Sequence, residues 1–438
     1  MREMKDSGIE WIGELPFNWE TRKIKYIATL NGRIGWQGLT SSEYCDDGAY
    51  LITGINFNDG LIDWSTCVHV PMERWAEAPQ IQIQNGDLLI TKDGTVGKVA
   101  IVSNMPSETS LNSGVLLIRT VDSCYKKYLF WILQSEIFWK WFNTINAGNS
   151  TIIHLYQYDF CNFSFPFPEY SLQCNIADYL DRKCSQIDAI IARQQEVIEK
   201  LKAYKLSVIT EAVTKGLNPD ASMKDSGVEW IGQIPAHWEM VRLKFLLSQI
   251  VDCPHETPIY SVDGDYLVIR TADQELGKLR ADENMYRLDE SEYQNRIRRM
   301  PLEKDDIVYG REGERWGLAC LVPESNKYCL GQRMLQFRCK SKSFLPRFAM
   351  WALNSKFVYL QGAVDTIGST SPHVNISTVR NFLIPVPKIS EQQKIAEYVD
   401  KKILQLDKET EYREILVQKL NDYKKSLIYE VVTGKKEV

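Results

Sequence analysis

Two stretches of the chain, 171–214 and 390–433, place apolar residues at alternating steps of three and four. The first reads Ile176, Leu180, Lys183, Ile187, Ile190, Gln194, Val197, Leu201, Tyr204 and Val208. The second reads Ile395, Val399, Lys402, Leu406, Glu409, Arg413, Leu416, Leu420, Tyr423 and Leu427. That period is the a/d seam of a coiled coil rather than the face of a surface helix. Neither stretch contains Gly or Pro, and each predicts one helix roughly 60 Å long at about 1.5 Å per residue. Two such seams in one chain can bury each other. The polar members Lys183/Lys402, Gln194/Arg413 and Glu409 weaken the seam but can fix its register and orientation. Two amphipathic helices packed on separate cores are the plainer alternative. Ser171 and Ser390 are expected N-caps, and Ser390 with Gln393 an expected capping box.

The two stretches align at a shift of 219 residues with 18 of 44 positions identical. Residues 4–25 and 223–244 align at the same shift with 13 of 22 identical. The chain therefore reads as a tandem duplication of equal halves. Within each half, short β-type runs bounded by Gly, Asn or Asp follow the opening repeat: 50–53, 87–91, 98–102 and 115–119, then 266–270, 306–309, 318–322 and 334–338. One apolar helical segment comes next, at 128–142 and 347–360. Pro166/Pro168 and Pro385/Pro387 keep the chain extended before each long helix. The expected fold is α+β: two globular α/β domains at 1–168 and 218–387, separated by long antiparallel helices at 169–217 and 388–438, pseudo-two-fold symmetric, the helices forming a coiled coil.

Composition narrows the function classes. Net charge is −5. Residues 1–219 carry 20 basic and 25 acidic side chains, and 220–438 carry 32 of each, so a nucleic-acid surface must be local. No secretory h-region and no membrane-length apolar run stand in the sequence, and the ten scattered cysteines form no C-x-x-C. These features suit buried thiols in a reducing cytoplasm. Catalytic motifs are missing. Gly97-Lys98 has Lys92 where a P-loop needs its first Gly, and Asn218-Pro219-Asp220 is a linker rather than an N-P-P-Y-like motif of amino methylation. The five histidines show no zinc or triad signature.

Three groups could touch DNA. The strand-following loops 91–98 and 310–317 offer backbone N–H groups with Lys92, Thr95 and Lys98 in one, Arg311 and Arg315 in the other. Such groups position phosphates, and Arg is the commonest specific partner of guanine. Ser150, Thr151 and His154 align with Ser369, Thr370 and His373 and suit phosphate or base contacts. Arg296 and Arg298, with Arg299, form a basic run fit for backbone contact. Trp131, Trp139, Trp141 and Phe142 at helical spacing read as core.

The opening M-K-D-S-G-I-E-W-I-G-E-L-P-x-x-W of 4–19 and its copy resemble the segments that begin each half of type I restriction–modification specificity subunits. The pattern P-x-P-x-x-S-x-Q…I-A-x-Y-x-D before each long helix is similar to that family's conserved spacer regions. It stands here at Pro166, Pro168, Ser171, Gln173, Ile176, Ala177, Tyr179 and Asp181, and again at Pro385, Pro387, Ser390, Gln392, Ile395, Ala396, Tyr398 and Asp400. The resemblance implies a non-catalytic subunit whose two domains each read one half of a bipartite double-stranded DNA target. The helices would set the spacing and dock two adenine-methylating subunits through Tyr179, Ile187, Leu201, Tyr204, Tyr398, Leu406, Leu420 and Tyr423. It implies no cofactor on this chain: S-adenosylmethionine belongs to the methylation subunits, ATP and Mg to restriction subunits that join for cleavage. The rivals are a related multi-subunit system, a fused methyltransferase, and a duplicated protein–protein scaffold without a DNA role.

Overall fold

The computed structural model describes residues 3–34, 38–147, 153–280, 282–313, 315–365 and 372–438. Two compact units divide the chain: Met1–Gln194 with Ile415–Val438, and Gln195–Glu414.

In the first unit a four-stranded antiparallel sheet runs Val99–Ile101, Leu88–Thr91, Val115–Thr120, Ala28–Gly32. Beside it lies a three-stranded sheet ordered Thr109–Leu111, Ala49–Ile52, Val68–Val70, its first pair parallel. The second unit repeats both orders, with Leu247–Asp252, Met334–Cys339, Ile307–Gly310 and Ala319–Leu321 in one sheet and Tyr286–Leu288, Tyr266–Ile269 and Tyr328–Leu330 in the other. The central strands are continuous apolar runs because both faces are covered. Leu88, Ile90, Leu116 and Ile118 point into the core shared with the helices, while Leu89, Val115 and Leu117 point into a second core against the smaller sheet. Ile307, Tyr309, Leu335 and Phe337 oppose Val308 and Met334 in the same way.

Each expected helical segment before the long helix is two helices, Lys126–Gln134 with Glu136–Ile145 and Pro346–Leu353 with Lys356–Ala363. The break falls at a buried serine. Ser135 Oγ donates to the Ile132 carbonyl at 2.6 Å and accepts from Ile137 N–H at 3.3 Å, while Ser355 Oγ donates to the Ala352 carbonyl at 2.5 Å. Ser diverts helical backbone in this way.

The long helices are Tyr170–Lys215 and Ile389–Val432. Both start one residue ahead of the expected caps, so Ser171 and Ser390 lie in the first turn. The Glu169 and Lys388 carbonyls accept the first backbone bonds, Ser171 Oγ turns to Glu169 Oε1 at 2.9 Å, and Gln393 Nε2 goes to Glu397 rather than closing a capping box. In the first unit Ile176, Ala177, Leu180 and Cys184 share a core with Leu427, Ile428, Val431 and Val432, and Lys424 binds Asp188 at 2.6 Å. In the second unit Ile209, Ala212 and Val213 share a core with Ile395, Ala396, Val399 and Ile403, and Lys205 binds Asp407 at 2.5 Å. Within each unit the two helix segments are thus antiparallel.

The heptad is real and Ile176 and Ile395 are buried as expected, but from Lys183 and Lys402 onward every second seam position is displaced by one residue. Leu180, Ile187, Val208, Val399 and Leu427 are buried as the periodicity requires. The alternate positions are Cys184, Ile191, Ile198 and Lys205, not Lys183, Ile190, Val197 and Tyr204; on the second helix they are Ile403, Thr410, Val417 and Lys424, not Lys402, Glu409, Leu416 and Tyr423. Ile190-Ile191 and Val197-Ile198 are apolar doublets, so steps of three-then-four and four-then-three fit equally well until packing chooses between them.

Two locks, one fully buried and one part-buried, tie each long helix to its domain. Gln173 Nε2 donates to the Pro168 and Ser123 carbonyls and its Oε1 accepts from Tyr125 N–H; Gln392 does the same with Pro387, Ser343 and Leu345. Both amides are fully buried. Asp181 accepts from Trp131 Nε1 at 2.8 Å and Asp400 from Trp351 Nε1 at 2.9 Å. The ten cysteines are free thiols, and burial pushes Cys124 up to about 12 and Cys184 to about 11.

Candidate nucleic-acid interface

Each unit brings together loop and histidine segment, although they lie some 60 residues apart in sequence. Lys92 N–H donates to the Gly114 carbonyl at 2.8 Å, and the Lys92 carbonyl accepts from Leu155 N–H at 2.9 Å. Arg311 N–H donates to the Arg333 carbonyl at 3.1 Å, and its carbonyl accepts from Val374 N–H at 3.0 Å. All of these positions correspond at the repeat shift. Gly94 (φ 70°) and Gly97 (φ 84°) turn the first loop, Gly313 (φ 85°) and Gly317 (φ 92°) the second. A Cβ on Gly97 would meet Trp139 at 2.6 Å, so that turn requires glycine. The Thr91 hydroxyl closes the first loop by donating to the Thr95 carbonyl at 2.5 Å and accepting from Lys98 N–H at 2.9 Å.

The side chains differ on this shared backbone. In the first unit Thr95 and Lys98 are exposed and Lys92 is half-buried; Lys98 Nζ lies 3.5 Å from the Gly54 carbonyl. Among the described residues no carboxylate pairs with Lys92 or Lys98. His154 Nδ1 donates to Asp93 Oδ1 at 2.5 Å, both groups half-exposed. Ser150 and Thr151, like Ser369 and Thr370, lie outside the described residues. In the second unit His373 meets Glu312, the counterpart of Asp93, through a backbone bridge.

Two arginines are not available to DNA as their sequence suggests. Arg296 is 4 % exposed, with its guanidinium spent on the carbonyls of Leu330, Glu256 and Pro254. Arg311 is buried between Asp252 at 3.4 Å and Glu312 at 2.8 Å. A basic run on a helix splits by its period: Arg296 turns inward, while Arg298 stays exposed with Glu256 at 3.8 Å. Arg299 donates to the Asp252 and Cys253 carbonyls. Arg315 remains exposed, and its Nη1 reaches the Ala272 carbonyl at 3.3 Å. Sequence reasoning missed Arg333, which holds φ 69°, lies half-exposed and faces Glu312 at 3.9 Å. A non-glycine residue in that region is uncommon and points to function. Its alignment with Gly114 at the repeat shift gave no signal, since Gly114 itself does not hold a positive φ.

The residues expected to bind protein partners divide into two sets. Ile187, Leu201, Leu406 and Leu420 face the helix seam, buried or half-buried. Tyr204, Tyr398 and Tyr423 are exposed, and Tyr179 is half-buried with the Arg182 guanidinium 5.9 Å from its ring. Among the described residues no helix is long and apolar enough to cross a membrane.

The sequence pattern described as the type I restriction modification DNA specificity domain matches residues 16–200 and again 237–416. The type I restriction enzyme StySPI specificity subunit of Salmonella potsdam is 24 % identical over 403 residues, covering 89 % of this chain and 82 % of that one. A chain solved in work on complex assembly and conformational transition of the type I R-M system superimposes with a TM-score of 0.72 at 14 % identity, covering 95 % of this chain and 98 % of that one. The HsdS subunit from Thermoanaerobacter tengcongensis gives a TM-score of 0.52 at 14 % identity, covering 96 % and 98 %. These two likenesses concern fold; the pattern, matched in both halves, carries the assignment. The chain belongs to the type I restriction modification DNA specificity family and holds two of its domains in tandem.

Proposed function

We propose that this chain is the non-catalytic specificity subunit of a type I restriction–modification complex. Each domain reads one half of a bipartite double-stranded DNA target through the corner built from its glycine loop and histidine segment. The long helices set the spacing and dock two adenine-methylating subunits that carry S-adenosylmethionine. Restriction subunits using ATP and Mg join them for cleavage, and the assembly works in the cytoplasm. The observation that carries this reading is the pairing of one repeated backbone frame with two different sets of exposed side chains. A duplicated enzyme would keep its chemistry in both copies, whereas a reader of an asymmetric target must vary it. Exposed Lys98 and Arg315 supply local positive charge on a chain of net charge −5, which suits DNA binding completed by partners.

Methylome sequencing of the host with and without the gene tests this. The expected result is loss of adenine methylation at one asymmetric two-part motif. An unchanged methylome, or methyl transfer by the purified chain alone, would overturn it.

A further inference from the structure

We infer that Arg270 is a specificity-determining residue of the second unit, held to read a guanine in its half of the target. The inference rests on the DNA-reading function proposed above and goes further by naming a residue and a base. Arg270 ends the strand Tyr266–Ile269 and caps the turn Thr271–Asp273. Its Nε and Nη2 donate to Asp273 at 2.8 Å each, and Asp273 is fully buried. The guanidinium carbon lies 3.7 Å from the centroid of the Tyr286 ring, which packs edge-on against Tyr260 at 4.6 Å. Tyr286 and Tyr260 are both half-exposed. Arg315 of the glycine loop donates to Ala272 in the same turn, so Arg270 borders the candidate interface.

The turn itself does not need the guanidinium. In the first unit the strand Ala49–Ile52 leads into the corresponding turn, Gly54–Asn56. There Thr53 N–H and hydroxyl donate to Asn56 Oδ1 at 2.7 and 2.9 Å, just as Arg270 N–H donates to Asp273 Oδ2 at 3.0 Å. Lys98 meets Gly54 of that turn as Arg315 meets Ala272. One backbone device thus carries Thr53/Asn56 in one domain and Arg270/Asp273 in the other. A carboxylate holding one edge and a tyrosine face holding the plane fix the fork before DNA arrives, which reduces the entropy lost on contact. Asp273 takes the Nε edge. The end-on edge, Nη1 with the second Nη2 hydrogen, has the donor spacing that guanine O6 and N7 accept.

The test uses the full chain assembled with its methylation subunits and maps methylated sequences. Arg270→Thr combined with Asp273→Asn installs the pair that the first unit's turn already holds, so the fold is retained. The expected result is a preference for guanine at one position of the second half that falls about tenfold or more, with the first half unchanged. Arg270→Gln is expected to move that position towards adenine, which pairs with an amide side chain. An unchanged second half in the double variant overturns the inference, as does weakening that is uniform across sequences, the mark of a phosphate contact. Failure here is distinguishable from failure of the proposed function. If replacing residues 26–165 redirects the first half while Arg270 variants leave the second intact, the subunit reads DNA and only the role of Arg270 falls.

Discussion

Positions that correspond at a shift of 219 behave in two ways in the two units. Gln173 and Gln392 make the same three hydrogen bonds, Asp181 and Asp400 hold the same tryptophan, and Lys424–Asp188 and Lys205–Asp407 are the same seam pair. Asp93 holds His154 by its carboxylate whereas Glu312 is drawn to Arg311 and Arg333; Gly114 corresponds to Arg333, and half-buried Lys92 to buried Arg311. The first set joins two fully buried amides, whose loss would leave unpaired donors or acceptors, to partly exposed carboxylates that tie helix to domain or helix to helix, so both copies keep them. In the second set the backbone bonds alone make the corner, which frees the side chains to diverge.

The largest expected effect tests the shared frame. Leu201→Asp with Leu420→Asp puts a carboxylate into the seam segment of each unit, at a cost of roughly 3 kcal/mol or more per site. Urea unfolding should show both units weakened, and complex formation with the methylation subunit should fail. Normal assembly would count against the seam.

Next comes a pair of substitutions at one corresponding position. Arg311→Ala removes the buried guanidinium between Asp252 and Glu312, leaving them only the more exposed His255 and Arg333, and should cost about 2–3 kcal/mol, whereas Lys92→Ala should cost under about 0.5 kcal/mol. Equal costs would mean that the two corners are alike after all.

A smaller difference concerns acid. Burial of Asp407 opposes its ionisation, but hydrogen bonds from Lys205 and Lys278 outweigh this and hold the carboxyl below its ordinary range. A depressed carboxylate adds stability above its unfolded pKa and loses it as pH falls through the folded value. Helix pairing in the second unit should therefore weaken below about pH 4, and Asp407→Asn should abolish that part of the pH dependence. Lys278 reaches Asp407 from the hairpin Gln274–Glu275/Lys278–Leu279, a second contact that Asp188 lacks among the described residues. A profile unchanged by Asp407→Asn would remove the pair from the account.

Smallest in stability are the exposed cations. Lys98→Ala and Arg315→Ala should leave unfolding unchanged yet lower the salt slope of DNA binding by the assembled complex by about 1 each. A slope unmoved by either would take both residues off the DNA.

Much of the frame was legible because its signals are long or repeated. The duplication, the two long helices, and the strands at 88–91, 115–120 and 307–310 follow from periodicity and turn residues. The seam phase was not legible, since neighbouring apolar residues such as Ile190-Ile191 leave two heptad registers open. Ser135 and Ser355 broke helices whose apolar period runs on through them. At the corners the loop and histidine segments were visible as residue types, but burial was not: Arg296 and Arg311 look as exposed as Arg298 and Arg315 until the chain folds. Arg270 carried no sequence signal, because its meaning comes from buried Asp273 and from Tyr286 on a neighbouring strand.

The most direct measurement replaces residues 26–165 with those of another family member and maps methylation by the assembled complex. One half of the recognised sequence should change and the other stay as it was. A target unchanged in both halves, or altered in both, would contradict two independent readers built on one repeated frame.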